Sequence, residues 1–208
     1  MASAIKEIVV ATRNQGKTEE FRALLQPLGI AVRSLLDMTV REVPEVEEDG
    51  ETFAANAEKK ARAAASALGL PALADDSGLC VDALGGAPGV RSARYAGEPS
   101  SDERNNAKLL RELGRLSAEQ KGAGLSAAQF VCALALVDPA SEGVLRAEGT
   151  VEGVIIAEPR GTQGFGYDPL FYIPALGKTF AELAPGQKNE ISHRAQALKA
   201  LIRQLESL

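Results

Sequence analysis

Residues 73–82 read LADDSGLCVD, in which two adjacent carboxylates, Asp75 and Asp76, interrupt an otherwise apolar run. The apolar residues on both sides of the pair are typical of a buried strand. Like charges in contact repel, and an ionised carboxylate in a poorly hydrated place is costly unless positive charge meets it. The pair therefore predicts a positively charged partner supplied by another part of the chain or by a bound cation.

Strand and helix patterns alternate on both sides of this stretch. The upstream patterns are a strand over KEIVVA (6–11), a helix over TEEFRALLQPL (18–28), a strand over 30–36 and a helix from Thr52 to Gly69. The downstream patterns are a loop over 85–100, a helix from Ser101 or Asp102, a polar connection over 116–127, two strands near 128–138 and 144–156, a short strand over 170–174 and a helix over 192–208. We expect the two long strands to be antiparallel. Helices interleaved with strands, plus one antiparallel pair, predict an α/β fold with a mixed, twisted central sheet flanked by helices.

Composition excludes several classes of function. The chain of 208 residues is 45% hydrophobic, which suffices for a substantial core, and its formal net charge is −5. No long basic block occurs, so duplex nucleic acid is not an expected partner. The longest apolar run, FVCALALV (130–137), is far shorter than a membrane helix, and MASAIKEI lacks a signal-peptide segment. We therefore expect a cytoplasmic protein with no membrane partner, and we expect Cys80 and Cys132 to be small hydrophobic residues without chemistry.

The segment TRNQGK, from Thr12 to Lys17, lies between a strand pattern and a helix pattern. Backbone N–H groups at a helix start, a glycine that permits close approach and a lysine are suited to binding phosphate. With Thr18 the segment nearly matches the P-loop pattern, but Ala11 stands where that pattern has its first glycine. The spacing alone does not separate a phosphate site from an ordinary strand-to-helix turn with a solvated lysine.

A polar stripe on the second helix follows an acidic segment. Thr52, Asn56 and Lys60 are spaced four residues apart and share one helical face, directly after EVEEDGE (45–51). Carboxylates from that segment and from 75–76 are hard oxygen ligands, and Mg²⁺ prefers one or two such ligands together with substrate phosphates. The alternative is that these acids are turn and helix-start residues on a solvated edge.

Two further motifs lie near the carboxyl end. In GFGYDP (164–169), glycines around an aromatic residue would let its ring lie against a flat ligand, and the following aspartate can accept hydrogen bonds; a common β-turn is the alternative. In KNEISHRAQ (188–196), Ser192 is a candidate helix cap, which places His193 and Arg194 in the first helical turn. Cations there oppose the helix dipole, so they indicate an anion or carbonyl acceptor unless they are only surface residues.

Taken in order, TRNQGK, ETFAANAEKKA, LADDSGLCVDALGGAPGVRSARYAG, GFGYDPLF and KNEISHRAQAL closely resemble the pyrophosphatases of non-standard purine nucleoside triphosphates, the inosine triphosphatase or Ham1 family. The resemblance spans nearly the whole chain. It implies a single ITPase-like domain over residues 1–208, elongated and two-lobed, with the active-site cleft between its lobes. It also implies a cytoplasmic homodimer that hydrolyses ITP, dITP and XTP to the monophosphate and pyrophosphate with Mg²⁺, which removes deaminated purines from the nucleotide pool.

The same resemblance implies a role for individual residues. Asp76 would be the general base and a metal ligand, and Glu48, chosen over Glu47 and Asp49 by its distance from Thr52, would be the other metal ligand. The residues that would bind substrate are Thr12, Arg13, Asn14, Gln15, Gly16, Lys17, Lys60, Ser77, Phe165, Gly166, Tyr167, Asp168, Lys188, His193 and Arg194. Among these, the 12–17 segment would bind the phosphates, and Phe165 would stack on the purine.

Two other functions fit part of the sequence. A P-loop NTPase would use residues 11–18 as a loosened phosphate loop and would cleave between the β- and γ-phosphates, but it leaves FGYDP and SHR unexplained. A nucleotide-sensing module would bind ITP with Mg²⁺ and release no product. The phosphorus product therefore distinguishes the three functions.

Overall fold

The architecture follows the alternating strand and helix patterns of the sequence. The computed structural model describes residues 5–37, 43–44, 46–116, 124–141 and 143–207. Most of the polar connection expected over 116–127 lies outside these residues, as do Glu45 of the acidic segment and Leu208, the end of the helix expected over 192–208.

Seven strands and five α-helices occur in the described part of the chain. The strands are β1 (Glu7–Val10), β2 (Ala31–Ser34), β3 (Ala72–Val81), β4 (Ser126–Val137), β5 (Leu145–Ile155), β6 (Phe171–Ile173) and β7 (Lys178–Thr179). The α-helices are α1 (Gln15–Leu25), α2 (Phe53–Leu68), α3 (Asp102–Leu116), α4 (Pro185–Ile191) and α5 (His193–Glu206). None of the helices in these described ranges is long and apolar enough to cross a membrane.

The strands form one sheet with the order β2-β1-β3-β4-β5-β6-β7. Strand β1 pairs in parallel with β2 and with β3, whereas β6 pairs antiparallel with β5 and with β7. The sheet is therefore mixed, and the predicted α/β class is confirmed. Residues 73–81 of the LADDSGLCVD stretch belong to β3, the third strand in this order.

The chain divides into two compact units, each with its own apolar core. The first unit comprises residues 1–76, 132–149 and 193–208, and the second comprises residues 77–131 and 150–192. In the first, two clusters form around Phe21, Leu73 and Leu134 and around the alanines of α2. In the second, Leu79, Leu109 and Phe171 belong to one cluster. Both cysteines are free, with Cys132 buried and Cys80 half-buried.

Helix α2 has the ends that the sequence predicts. Thr52 caps its start by accepting a hydrogen bond from the Ala55 N–H at 3.2 Å, and Gly69 ends it in the left-handed conformation, with φ of 63°. The face carrying Ala57, Ala61 and others is fully buried. Because alanine side chains are small, this face allows a close approach to the sheet, which brings the polar stripe of α2 near β3.

Two helical segments differ from the sequence expectation. Residues Gly89–Arg94 form a 3-10 helix inside the stretch expected to be a loop, and Pro185–Ile191 form α4, which the apolar pattern did not indicate. The first has six residues and follows Pro88, and the second has only seven residues. Neither is long enough to show an apolar periodicity of 3.6 residues, which is why the pattern missed them.

Candidate active site

The two carboxylates of β3 have different partners. Consecutive side chains of a strand point to opposite faces of a sheet, so adjacency in sequence does not place Asp75 and Asp76 in one environment. Asp75 Oδ2 lies 3.0 Å from Lys17 Nζ and 3.3 Å from Arg194 Nε. Asp76 instead faces helix α2. The pair predicted from the sequence thus meets protein cations on both sides.

Asp75 belongs to a buried network of charges. Arg194 is 3% exposed and also donates from Nη1 to Glu20 Oε2 at 2.8 Å. Burial alone would raise the pKa of Asp75, but Lys17 and Arg194 hold it well below its usual range. The pKa of Arg194 is raised by its two carboxylates against the opposing effect of burial. Asp75 is therefore ionised in the folded protein and orients two cations.

Asp76 lies beside a lysine that also meets Glu48. Lys60 Nζ is 2.7 Å from Glu48 Oε1 and 3.5 Å from Asp76 Oδ1. Burial raises the pKa of Asp76, and Glu48 adds to the rise, while Lys60 and a hydrogen bond from Asn56 oppose it. Burial would lower the pKa of Lys60, but Asp76, Asp75 and Glu48 raise it. A carboxylate with a raised pKa, beside a cation, is suited to general-base chemistry.

Asn56 connects this carboxylate to the acidic segment. The side chain is 1% exposed; its Nδ2 donates to Asp76 Oδ2 at 3.0 Å, and its Oδ1 accepts from the Gly50 N–H at 2.8 Å. A Cβ on Gly50 would lie 2.5 Å from Asn56 Oδ1, so this approach requires glycine. Neighbouring Asp49 pairs with Lys59 on the surface at 2.7 Å, whereas Glu48 points to Lys60.

The 12–17 segment forms the turn from β1 into α1. Asn14 is the N-cap of α1, since its Oδ1 accepts from the Lys17 N–H at 3.0 Å, and its own N–H donates to Thr12 Oγ1 at 3.1 Å. Arg13 and Gln15 are exposed here, and Gly16 is half-buried. The expected strand-turn-helix is present, and the first turn of α1 directly follows the cap.

The SHR segment begins helix α5 and is buried. Ser192 has an extended backbone with ψ of 156°, and His193 and Arg194 are 2% and 3% exposed. The alternative of a surface pair is therefore wrong. Gly149 of β5 makes this burial possible, because a Cβ there would lie 2.3 Å from both His193 O and Ala197 N. The first turn of α5 thus packs directly on the backbone of β5.

The GFGYDP loop, in the second unit, is organised by Asp168. Its Oδ2 accepts from the Phe165 N–H at 3.0 Å and pairs with Lys188 Nζ at 2.6 Å. Lys188 Nζ also lies 4.9 Å from the centre of the Phe165 ring. Gly164 has φ of 76°, and a Cβ there would lie 2.0 Å from Asp168 Oδ2. Asp168 and Lys188 are both buried, so the ring of Phe165 is held beside a desolvated ion pair.

Tyr167 and Ser77 occupy different positions in that unit. Tyr167 is 4% exposed, packs in the apolar core and donates from its hydroxyl to Ser92 O at 2.8 Å. Burial raises its pKa, so it stays protonated. Ser77 is half-buried in β3. Tyr167 therefore acts as an anchor of the loop, while Phe165 is its partly buried aromatic residue.

Sequence reasoning missed two residues that the structure places among the charged groups, Glu20 and Asn56. Glu20 lies on α1 three residues after Lys17, on the same helical face, a spacing that could have indicated it. Asn56 belongs to the polar stripe of α2, but the four-residue spacing alone gives it no role in the site. Its signal is an amide among alanines on a helix whose neighbouring face is buried.

The residues around Lys60 fit a divalent cation. Among the residues that the structure describes, no group of three or more His, Cys, Asp or Glu side chains is arranged to hold a metal ion. Two carboxylates, Glu48 and Asp76, nevertheless converge on one ammonium group. Mg²⁺ commonly binds through one or two carboxylates and completes its shell with water and phosphate oxygens. The donor set therefore suits Mg²⁺ with a phosphorylated ligand.

Comparisons with known proteins agree with this geometry. A sequence model of the Ham1 family matches residues 8–204. A protein of Geobacillus kaustophilus named dITP/XTP pyrophosphatase is 54% identical, with 98% of this chain and 96% of that protein aligned. A protein of Bacillus subtilis with the same name is 49% identical over 98% of each chain.

Solved structures show the same fold. The structure of a HAM1 protein from Coxiella burnetii has a TM-score of 0.83 and 44% identity, with 98% of this chain and all of that chain covered. The Ham1 protein of Staphylococcus aureus has a TM-score of 0.81 at 44% identity, with coverage of 97% and 99%. With its sequence matched from the first strand to the last helix and its fold shared with these structures, the chain belongs to the Ham1 family.

Proposed function

We propose that this protein is a nucleoside triphosphate pyrophosphatase that converts dITP, XTP and ITP to the monophosphate and pyrophosphate with Mg²⁺. The observation that carries the proposal is the convergence of Asp76 and Glu48 on Lys60, in a member of a family whose relatives are named dITP/XTP pyrophosphatase. Removal of such nucleotides would keep deaminated purines out of nucleic acid. From the family resemblance we also propose that the protein is a cytoplasmic homodimer. Light scattering after gel filtration measures the molar mass and so tests the dimer.

Glu48 and Asp76 are the residues that would hold the cation. Bound there, Mg²⁺ would neutralise charge on the triphosphate and help to bring a water molecule close to phosphorus. Lys60, which bridges the same two carboxylates in this structure, would turn toward the phosphates. Its three N–H donors and permanent charge suit that role.

Asp76 is the proposed general base. Its raised pKa makes it a better proton acceptor than an ordinary aspartate, while Lys60 and the hydrogen bond from Asn56 oppose the rise and so favour the ionised form that a base needs. It would orient and deprotonate a water that attacks the α-phosphorus. The bond to the bridging oxygen then breaks, and pyrophosphate leaves while Lys17 and the N–H groups of the first turn of α1 stabilise its charge.

Phe165 and Lys188, whose Nζ lies 4.9 Å from the centre of the Phe165 ring, are the residues proposed to recognise the base. A purine stacked on Phe165 would have its edge near Lys188 and Asp168, which are already paired with each other. The ammonium group of Lys188 is a donor that suits the 6-oxo group of hypoxanthine and xanthine, whereas the 6-amino group of adenine would leave it unpaired. Guanine also has a 6-oxo group, so this donor alone does not reject GTP.

The test is the identity of the phosphorus product. Purified protein is incubated with ITP and Mg²⁺, and ³¹P NMR distinguishes pyrophosphate from orthophosphate; parallel samples contain ATP or an excess of EDTA. We expect IMP and pyrophosphate, much slower turnover of ATP, and no product with EDTA. Orthophosphate with IDP would favour the P-loop type of cleavage, and binding without product would favour a nucleotide sensor.

A further inference from the structure

Helix α3 holds the GFGYDP loop through both backbone polar groups of Gly166. The Gly166 N–H donates to Asp102 Oδ2 at 2.7 Å, and the Gly166 carbonyl accepts from Asn106 Nδ2 at 2.9 Å. Asp102 and Asn106 are four residues apart, so they lie on one face of α3. Two consecutive peptide groups of the loop are thereby fixed to one helix.

The loop needs this support because its backbone is unusual at that point. Gly166 has φ of 64°, in the left-handed region, and it directly follows Phe165. On the other side of Phe165, Gly164 also has a positive φ. A segment with two such glycines has many accessible conformations, and external hydrogen bonds select one of them.

Helix α3 is a rigid base for these bonds. Leu109 and Leu113 on its inner face are fully buried in the core of the second unit. Asn105 is 2% exposed and ties the helix to the 93–96 segment, where its Nδ2 donates to Ala93 O at 2.9 Å and its Oδ1 accepts from the Ala96 N–H at 2.7 Å. The position and orientation of the first turns of α3 are therefore fixed by contacts other than the two hydrogen bonds to Gly166.

We propose that Asp102 and Asn106 are positioning residues that hold Gly166 and so set the orientation of the Phe165 ring toward a purine base. The proposal rests on the proposed function in one respect, namely that Phe165 stacks on the base. Neither residue touches the substrate in this account. Both act through the backbone of the loop, and they contribute to recognition of the base rather than to the chemistry at phosphorus.

Because Asp102 and Asn106 are proposed to affect base recognition and not the chemistry at phosphorus, their loss should change KM and leave kcat nearly unchanged. Loss of either bond loosens the base-side contact and leaves the phosphate-side residues unchanged. The KM for ITP should then rise about five- to tenfold with kcat within about twofold of the wild type, as expected for one lost hydrogen bond. Inhibition by inorganic triphosphate, which has no base, should be unchanged.

Four variants test it. Asp102→Ala removes the acceptor, while Asp102→Asn keeps an acceptor oxygen and should restore most of the lost affinity. Asn106→Asp has nearly the same shape but, when ionised, no N–H donor. Glu103→Ala is the matched control, because Glu103 is an exposed acidic residue in the same first turn and shares any effect of the helix dipole. Equal KM increases for Asp102→Ala and Glu103→Ala, or no rescue by Asp102→Asn, would overturn the proposal.

A second readout does not depend on turnover. The chain has no tryptophan, so Phe165→Trp gives it a single tryptophan, in the loop, whose fluorescence can be excited apart from that of the tyrosines. In that background we expect Asp102→Ala and Asn106→Asp to increase quenching by acrylamide, and Glu103→Ala to leave it unchanged. If quenching is unchanged in Asp102→Ala and Asn106→Asp, these two residues do not hold the loop, and the proposal is refuted. If the wild type yields no pyrophosphate from ITP, the proposed function fails while the quenching result still decides the role of Asp102 and Asn106.

Discussion

At the scale of single residues, the two adjacent aspartates of β3 show how neighbours determine function. Asp75 is fully buried between Lys17 and Arg194, which hold its pKa down and keep it as a fixed negative charge. The pKa of Asp76 is raised by burial, although Lys60 Nζ lies 3.5 Å from its Oδ1 and opposes the rise. The first residue is suited to orienting cations and the second to accepting a proton.

Replacement of Asp76 by Asn should therefore affect catalysis far more than folding. The amide has nearly the same shape but cannot act as a base, so we expect kcat for ITP to fall by at least about a hundredfold, with nucleotide binding retained. Stopped assays of pyrophosphate release measure kcat, and calorimetry measures binding. Glu47→Gln, which removes an exposed acid of the neighbouring segment, is the control. A kcat near that of the wild type would remove Asp76 from the general-base role.

At the scale of elements, Gly149 determines how α5 packs on β5. A Cβ at this position would lie 2.3 Å from His193 O, so Gly149→Ala must displace the first turn of α5, which carries His193 and Arg194. We expect the free energy of unfolding to fall by about 1–3 kcal/mol, as for an overpacked site. Urea denaturation followed by circular dichroism measures the change.

Gly114 provides the matched substitution for that experiment. It lies within α3, and a Cβ there would meet no atom within 4 Å. Gly114→Ala should raise the free energy of unfolding by roughly 0.5–1 kcal/mol, because alanine has a lower entropic cost in a helix. If both alanine variants shifted stability in the same direction, the close approach at Gly149 would not be the determining factor.

The elements also show which structural features a sequence pattern predicts. Helix α2 and strand β3 were predicted with nearly correct ends, because caps and apolar periodicity are local signals. Helix α4, with seven residues, was missed for want of such a signal. The network of Glu20, Arg194 and Asp75 joins segments far apart in sequence, and only tertiary packing brings them together. Their residue types were visible in the sequence, but the pairing was not.

At the scale of the whole molecule, the two carboxylates should affect stability in different ranges of pH. The pKa of Asp75 lies below its unfolded value of about 3.9, so its stabilising contribution is complete above that pH and is lost as the pH falls. The pKa of Asp76 lies above the unfolded value, so the unfolded chain loses this proton first. Its contribution is therefore complete below about pH 3.9 and is lost as the pH rises through the folded pKa.

The raised pKa of Asp76 predicts how the effect of Asp76→Asn on the free energy of unfolding depends on pH. The variant lacks the unfavourable ionisation of Asp76, so its free energy of unfolding should rise relative to that of the wild type between about pH 4 and pH 7. Urea denaturation at several pH values, in buffers with EDTA to exclude bound cations, measures the difference. Glu47→Gln, which removes an exposed acid of the neighbouring segment, is measured in parallel as the control. A difference between Asp76→Asn and the wild type that does not change with pH would mean that Asp76 titrates alike in the folded and unfolded chains, and the case for it as a base with a raised pKa would fail.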